Sequence, residues 1–200
     1  MSSDQQHTGN LQRAASYASL SVALTLVVAK LWAWLSTQSI SVLSSLVDSF
    51  LDVLASGITV IAIRVALQPA DSEHRFGHGK AEGLAALAQA VIITASAGFV
   101  LFEALQRLGD PQPIQQPEAG IGIMLLSIVM TFGLVTFQRS VIRKTGSIAI
   151  SADALHYRTD IMLNLSSAIA IPLAAWTKRT LIDPLTGLAI AGHRPHRTRQ

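Results

Sequence analysis

Residues 47–52 read Val-Asp-Ser-Phe-Leu-Asp, and they lie inside an apolar run that extends over residues 40–67. A helix rises about 1.5 Å per residue, so about 20 residues cross the hydrocarbon of a bilayer and this run is long enough to span it. Asp48 and Asp52 are four residues apart and share one face of such a helix. A carboxylate at the bilayer centre costs roughly 2.5–3.5 kcal/mol, which makes both residues candidates for a functional site.

The same spacing recurs downstream, where His156 and Asp160 lie in a second apolar run over residues 147–176. Polar stripes on apolar helices are expected to face each other or a wet cavity rather than lipid. We therefore expect Asp48, Asp52, His156 and Asp160 to meet at one point. Three carboxylates and one imidazole suit a four-coordinate divalent ion such as zinc. The alternative interpretation is a polar network that only holds helices together.

The composition excludes several other classes of protein. Of the 200 residues, 50% are hydrophobic and 14% charged, and the mean hydropathy is +0.44, as in integral membrane proteins. There is no cysteine, so any metal must bind to His and carboxylate. The net charge is +3, but Lys and Arg cluster at the ends of apolar runs, which is typical of topology signals and not of nucleic-acid binding. Neither a nucleophile–base pair nor a phosphate loop is evident, so the sequence does not indicate an enzyme.

The hydropathy pattern predicts an all-α integral membrane protein with a transmembrane domain over residues 11–191. Five complete spans are expected, at residues 11–35, 40–67, 81–108, 119–138 and 147–176. A sixth apolar run, residues 181–191, reaches only about 16 Å as a helix and is too short to span. Residues 1–10 are interpreted as a polar N-terminal tail. The basic residues 192–200 are interpreted as an aberrant terminus left by truncation or a frame change, or alternatively as a basic tail.

The distribution of positive charge predicts a cytoplasmic N-terminus in a multi-pass protein. The positive residues on the predicted cytoplasmic side are Arg13, Arg64, Arg75, Lys80, Arg139, Arg143 and Lys144. Lys178 and Arg179 fall on the other side and count against this orientation. Lys30, near the end of the first span, is expected to extend its ammonium group towards the membrane interface.

A polar loop over residues 68–80 contains a second set of possible metal ligands, Asp71, His74 and His78. Three such ligands with an open position can hold a metal at the membrane surface. The alternative is a solvated loop with ordinary histidines. Asp153 is expected at the mouth of the fifth helix, where it either guides cations towards the site or caps the helix.

Three stretches resemble the cation diffusion facilitator family, close to its bacterial zinc and iron efflux branch. They are residues 41–60 (SVLSSLVDSFLDVLASGITV), residues 64–89 (RVALQPADSEHRFGHGKAEGLAALAQ) and residues 149–171 (AISADALHYRTDIMLNLSSAIAI). They contain a DxxxD helix, a DxxHxxxHGKAE loop and a HxxxD helix in the family order. The resemblance extends over about residues 11–190.

The resemblance implies a six-helix antiporter in the cell's inner (plasma) membrane, which works as a homodimer and exports zinc, ferrous iron or cadmium in exchange for protons. Asp48, Asp52, His156 and Asp160 resemble its transport site, and Asp71, His74 and His78 its loop site. Lys80 resembles a lysine that pairs with an acidic residue of a cytoplasmic C-terminal domain. After about residue 191 the sequence departs from the family, without most of the sixth helix and without that domain. The alternative function is therefore a truncated, non-transporting remnant that still binds metal.

Overall fold

The computed structural model describes residues 3–38, 40–109 and 117–177, which form five α-helices. These are α1 (Ser3–Thr37), α2 (Ile40–Ala66), α3 (Lys80–Gly109), α4 (Pro117–Thr145) and α5 (Ile148–Thr177). The first four contain segments long and apolar enough to cross a membrane, by length and composition. The predicted all-helical membrane fold is thus confirmed in these elements. A fifth complete span stays a prediction, and the runs 181–191 and 192–200 lie outside the described residues.

Two helices are longer than the hydropathy pattern predicts. The helix α1 already begins at Ser3, so residues 3–10 are helical and the predicted tail is corrected. Its first turns pack on the end of α2, since a Cβ atom added to Gly9 would lie 3.3 Å from a methyl group of Leu67. The helix α4 continues to Thr145 instead of ending at Gln138, because Val141, in its last turns, is still buried in the core.

The turn between α4 and α5 depends on a glycine. Gly146 has a φ of +65°, and its N–H donates to the carbonyl oxygen of Ile142 at 2.8 Å. This left-handed conformation directly after the last helical residue satisfies one of the carbonyl groups that a helix end leaves unpaired. Because the left-handed region is strained for residues with a Cβ atom, glycine suits the position.

The start of α5 is held by a cap and by a residue of α3. Ser147 precedes the helix, and its hydroxyl accepts the N–H of Ile150 at 3.3 Å, as an N-cap does. Glu82 of α3 accepts the Ser147 hydroxyl at 2.6 Å and the N–H of Ala149 at 3.3 Å. The N-terminus of α5 is therefore tied to α3.

The five helices meet in a core of small and branched side chains at this end of the bundle. Its buried members are Ala15, Ala62, Ile63, Ala85, Val141, Ala149 and Ile150. Alanines let helix backbones approach closely, which favours association of helices in a membrane. Large apolar side chains such as Trp32, Leu54 and Phe132 are exposed on the outside, where lipid would contact them. The core therefore sets the position of α5 relative to the other four helices.

Alanine substitutions at Gly146 and at Gly133 are expected to change the stability of the fold in opposite directions. Gly146→Ala should lower the free energy of unfolding by about 1–2 kcal/mol, because it forces a Cβ atom into the left-handed region. Gly133→Ala lies within α4 with no atom within 4 Å of the added Cβ, and should raise the stability by up to about 1 kcal/mol. Thermal unfolding in detergent measures the stability of both variants. A Gly146→Ala protein as stable as the parent would contradict the expected backbone strain at this position.

Candidate metal centre

Three predicted ligands come together between α2 and α5. The Nε2 atom of His156 lies 3.0 Å from Oδ1 of Asp52 and 3.5 Å from Oδ2 of Asp160. Each residue offers one ligand atom, and these atoms all lie within 4.8 Å of one another. The His156 side chain is 3% exposed and that of Asp52 14%, so the cluster is largely shielded from solvent.

The two separations from His156 are close to those between ligands of a tetrahedral metal site. At metal–ligand distances of about 2.0–2.2 Å, two ligands of a tetrahedral ion lie about 3.3–3.6 Å apart. The observed 3.0 Å and 3.5 Å differ from this range by no more than a few tenths of an ångström. Among the described residues, Oδ2 of Asp160 is buried and has no hydrogen-bond partner. Its lone pairs are thus directed into the cluster with no donor to satisfy them, and the cluster fits a divalent cation.

Asp48, the fourth predicted ligand, lies outside this group of three. It is one helical turn before Asp52 on α2, and its side chain is exposed. Residues at i and i+4 of a helix have Cβ atoms about 5–6 Å apart, so Asp48 lies next to the cluster although its carboxylate is not a member of it.

A second contact between α2 and α5, made by Ser56 and Tyr157, helps to fix the register of the two helices. The hydroxyl of Ser56 lies 2.7 Å from that of Tyr157, and the Tyr157 hydroxyl also donates to the carbonyl oxygen of Ser19 at 3.3 Å. Ser56 follows Asp52 by four residues, and Tyr157 follows His156 by one. Both contacts join α2 to α5, so sliding of one helix along the other would disturb both.

Asp153 is the centre of a buried hydrogen-bond network and not a residue at a helix mouth. It is 0% exposed, and its carboxylate accepts the Ser19 hydroxyl at 2.6 Å. It also accepts the side-chain amides of Gln138 at 2.7 Å and Gln89 at 3.1 Å. The predicted position is therefore corrected. The unpaired N–H groups of a helix lie in its first turn, and Asp153 lies beyond the first turn of α5. The residue that caps this helix is Ser147.

Lys30 also differs from its predicted position. It is 6% exposed, and its Nζ atom donates to the hydroxyl of Ser49 at 2.7 Å and to the carbonyl oxygen of Ser45 at 3.1 Å. Its side chain thus points to α2 and not to the membrane interface. The signal for this was present in the sequence, because an ionisable residue within an apolar span is by default expected to have a buried partner. Gln89 and Gln138 carry the same signal in weaker form, since each is a lone amide in an apolar run.

The loop between α2 and α3 brings together its three predicted ligands. The Oδ1 atom of Asp71 lies 3.2 Å from Nδ1 of His74, and its Oδ2 atom lies 3.5 Å from Nε2 of His78. The ligand atoms lie within 4.8 Å of one another, and the two imidazole rings have centroids 4.4 Å apart. Within the described residues, the other ring nitrogen of His78 is buried without a hydrogen-bond partner. The loop thus brings its three predicted ligands into a group that could hold a metal ion.

Hydrogen bonds from the backbone preorganise this loop. The N–H groups of His74 and Glu73 donate to Oδ1 of Asp71 at 2.6 Å and 3.0 Å. The backbone N–H of His74 is the main cause that holds the pKa of the Asp71 carboxyl below its ordinary 3.8, with a smaller effect of the His74 side chain. Gly77, with a φ of +76°, supplies the bend that returns the chain to His78. Lys80 follows as the exposed first residue of α3.

Comparison of the sequence with known proteins gives a matching family model and several similar proteins. A family model described as the cation efflux transmembrane domain matches residues 16–193. The cation-efflux pump FieF of Pectobacterium carotovorum is 44% identical over 187 residues, which are 94% of this chain and 62% of that protein. The FieF pumps of Salmonella arizonae and Pectobacterium atrosepticum are each 45% identical, over 92% of this chain and 61% of their own length. The chain thus spans about 62% of the length of the curated relatives that it matches.

The Asp153 network predicts a large loss of stability on its removal. Asp153→Ala removes three buried hydrogen bonds and leaves the Gln138 amide without the carboxylate that accepts it, whereas Gln89 still donates to Ala55 and Thr59 and Ser19 still contacts Ser56. An unsatisfied buried donor costs about 1–3 kcal/mol, so thermal unfolding should occur at a clearly lower temperature. Ser127→Ala is the matched control, because its buried hydroxyl has no hydrogen-bond partner within the described part of the chain. Equal melting temperatures for the two variants would show that the network does not stabilise the fold.

The loop geometry predicts the titration of Asp71. Its carboxyl carbon, followed by NMR in micelles, should titrate with a midpoint below 3.8, and at the ordinary value after denaturation. Because the folded pKa is lowered, the stability that these hydrogen bonds contribute is present above about pH 4 and is lost as the pH falls through the folded pKa. His74→Ala should retain most of the shift, since the main donor is the backbone. A midpoint at or above 3.8 in the folded protein would contradict this.

Proposed function

The chain belongs to the cation efflux family, and from that membership we propose that it exports a divalent transition-metal ion from the cell. The family consists of membrane transporters and not of enzymes, so the ion is cargo. The observation that carries the proposal is the shielded cluster of Asp52, His156 and Asp160 between two helices. Ionisable side chains inside a membrane domain are costly and mark ion pathways.

We propose that Asp48 completes the ligand set when the ion binds. It lies one turn from Asp52, and a change of its side-chain rotamer would bring the carboxylate towards the cluster. The site would then have three carboxylates and one imidazole. Zinc accepts such ligands in tetrahedral geometry, and we propose it as the principal cargo. Ferrous iron also binds to His and carboxylate, so it and cadmium are the alternatives.

The contacts of His156 support a proposed exchange of the metal ion with protons. At 3.0 Å from Asp52, the imidazole nitrogen makes a hydrogen bond that needs one proton between the two groups. A bound metal needs the lone pairs of the same two atoms, so its ligands must lose their protons. Proton and metal therefore compete for one position. A proton gradient across the membrane would then drive the ion in the opposite direction.

The remaining features are assigned by the same family likeness. We propose that Asp71, His74 and His78 hold a second metal ion at the cytoplasmic surface, where their loop would lie if the N-terminus is cytoplasmic. We further propose a homodimer in the inner membrane. Lys80 is exposed at the start of α3, next to the loop, and is available for a contact with another domain or a partner subunit.

Substitutions of the ligands test this function. Asp52→Asn and His156→Ala should each weaken zinc binding by about 100-fold or more, beyond the 10–100-fold typical of residues that only orient a ligand. Calorimetry on the purified chain in detergent measures the affinity, and uptake into vesicles under an imposed pH gradient measures transport. Thr136→Ala, at an exposed position of α4 where the hydroxyl donates to the carbonyl oxygen of Phe132 in the same helix, is the control and should leave both unchanged.

The two measurements separate transport from binding. Unchanged zinc affinity in both ligand variants would overturn the site. Tight zinc binding that depends on Asp52, with no uptake at any pH gradient, would instead show a metal-binding protein that does not transport. Uptake that is independent of the pH gradient would retain the cargo and overturn the exchange with protons.

A further inference from the structure

Lys30 of α1 is a buried cation beside the proposed metal site. It is 6% exposed, and its ammonium group donates to the hydroxyl of Ser49 at 2.7 Å and to the carbonyl oxygen of Ser45 at 3.1 Å. Burial of a charged side chain in a membrane domain is expensive, so it requires compensation by hydrogen bonds and by opposite charge. A purely apolar contact between α1 and α2 would be less costly at this position. We therefore expect the charge of Lys30 to have a function beyond packing.

The positions of its partners place the ammonium at the turn of α2 that carries the aspartates. One face of α2 carries two serines and two aspartates at spacings of three, one and three residues, namely Ser45, Asp48, Ser49 and Asp52. Ser49, which accepts the hydrogen bond of Lys30, lies next to Asp48 and three residues before Asp52, so the ammonium group is held near two carboxylates of opposite charge. Within the described part of the chain, the hydrogen bonds of Lys30 go to Ser45 and Ser49, so its charge acts on the ligand cluster without occupying a ligand atom.

We propose that Lys30 is a resident counter-charge that lowers the affinity of the site for the metal, so that the ion can leave. The inference rests on the proposed function of the cluster as the transport site. With three ionised aspartates the site would carry three negative charges, and the charge of Lys30 reduces the total to two, which one divalent ion neutralises. Conduction of an ion requires binding that is favourable enough to admit it and weak enough to release it.

A merely structural function of Lys30 predicts the opposite result. If the side chain only ties α1 to α2, its removal loosens α2 and weakens or does not change metal binding. If its charge repels the bound ion, its removal tightens binding. A unit charge within roughly 10 Å of a doubly charged ion changes their interaction by more than a factor of ten in affinity, even at an effective dielectric constant of about 20. The sign of the effect therefore separates the two functions.

The experiment compares Lys30→Met with Lys30→Arg in the complete chain, in detergent. We expect Lys30→Met to bind zinc at least about tenfold more tightly and to release it correspondingly more slowly to a chelator. Lys30→Arg keeps the charge and should stay within about threefold of the parent. Ser49→Ala removes one hydrogen bond of Lys30 but no charge, and it should likewise leave the affinity near the parent value. In vesicles, Lys30→Met should transport more slowly at saturating zinc.

Each outcome decides the inference. Unchanged or weaker zinc binding by folded Lys30→Met would overturn it, as would equal tightening in Lys30→Arg. If Lys30→Met does not fold, Lys30→Gln is measured instead, because its amide can still donate to the Ser45 carbonyl. Asp52→Asn, measured in parallel, tests the premise separately. If Asp52→Asn abolishes binding at the buried cluster while loss of the Lys30 charge does not tighten it, only the present inference fails. An Asp52→Asn protein that binds as many zinc ions as the parent, with the same affinities, overturns the proposed function.

Discussion

The buried carboxylate of Asp153 is the interaction on which the rest of the structure depends. It lies on α5 and accepts hydrogen bonds from Ser19 of α1, Gln89 of α3 and Gln138 of α4. The Ser19 hydroxyl also contacts that of Ser56 on α2, so all five helices reach this network. A carboxylate removed from water is tolerated only when its oxygens are satisfied, and the three donors come from three separate helices. The network therefore restricts α5 to one depth and one rotation in the bundle.

That restriction builds the metal cluster. His156 and Tyr157 follow Asp153 by three and four residues, so they lie on adjoining faces one turn further along α5. On α2, Asp52 and Ser56 are likewise one turn apart, and the two pairs meet as Asp52 with His156 and Ser56 with Tyr157. The buried network supplies the rigidity and the cluster supplies the ligands. A site held by its own side chains alone would lack this support and would lose the geometry that a small ion requires.

In the proposed function, the charges around the cluster balance the capture of an ion against its release. The acidic side chains of the cluster would attract a divalent ion. The hydrogen bond between His156 and Asp52 needs a proton at the position where the ion would bind. The ammonium group of Lys30 lies against the same turn of α2 and carries the opposite charge to the aspartates. Each of these groups is costly in an apolar bundle, and together they offset one another's charge. The loop ligands outside the bundle are organised differently, by backbone N–H groups that hold Asp71. Preorganisation of that kind does not require the helices to move.

The sequence by itself determined the helical membrane class and predicted which acidic and imidazole side chains share one helix face. Spacing of four residues places two side chains on one helix face through local geometry, and the absence of cysteine limits the ligands to His and carboxylate. It also predicted the loop ligands, which are close along the chain. Only the tertiary structure decided that Asp153 is an internal tie, that Lys30 points to α2, and that Asp48 stays outside the group of three. These outcomes depend on the rotation of each helix about its own axis. Contacts between helices that are distant in sequence determine that rotation, and the local periodicity of the sequence does not encode it.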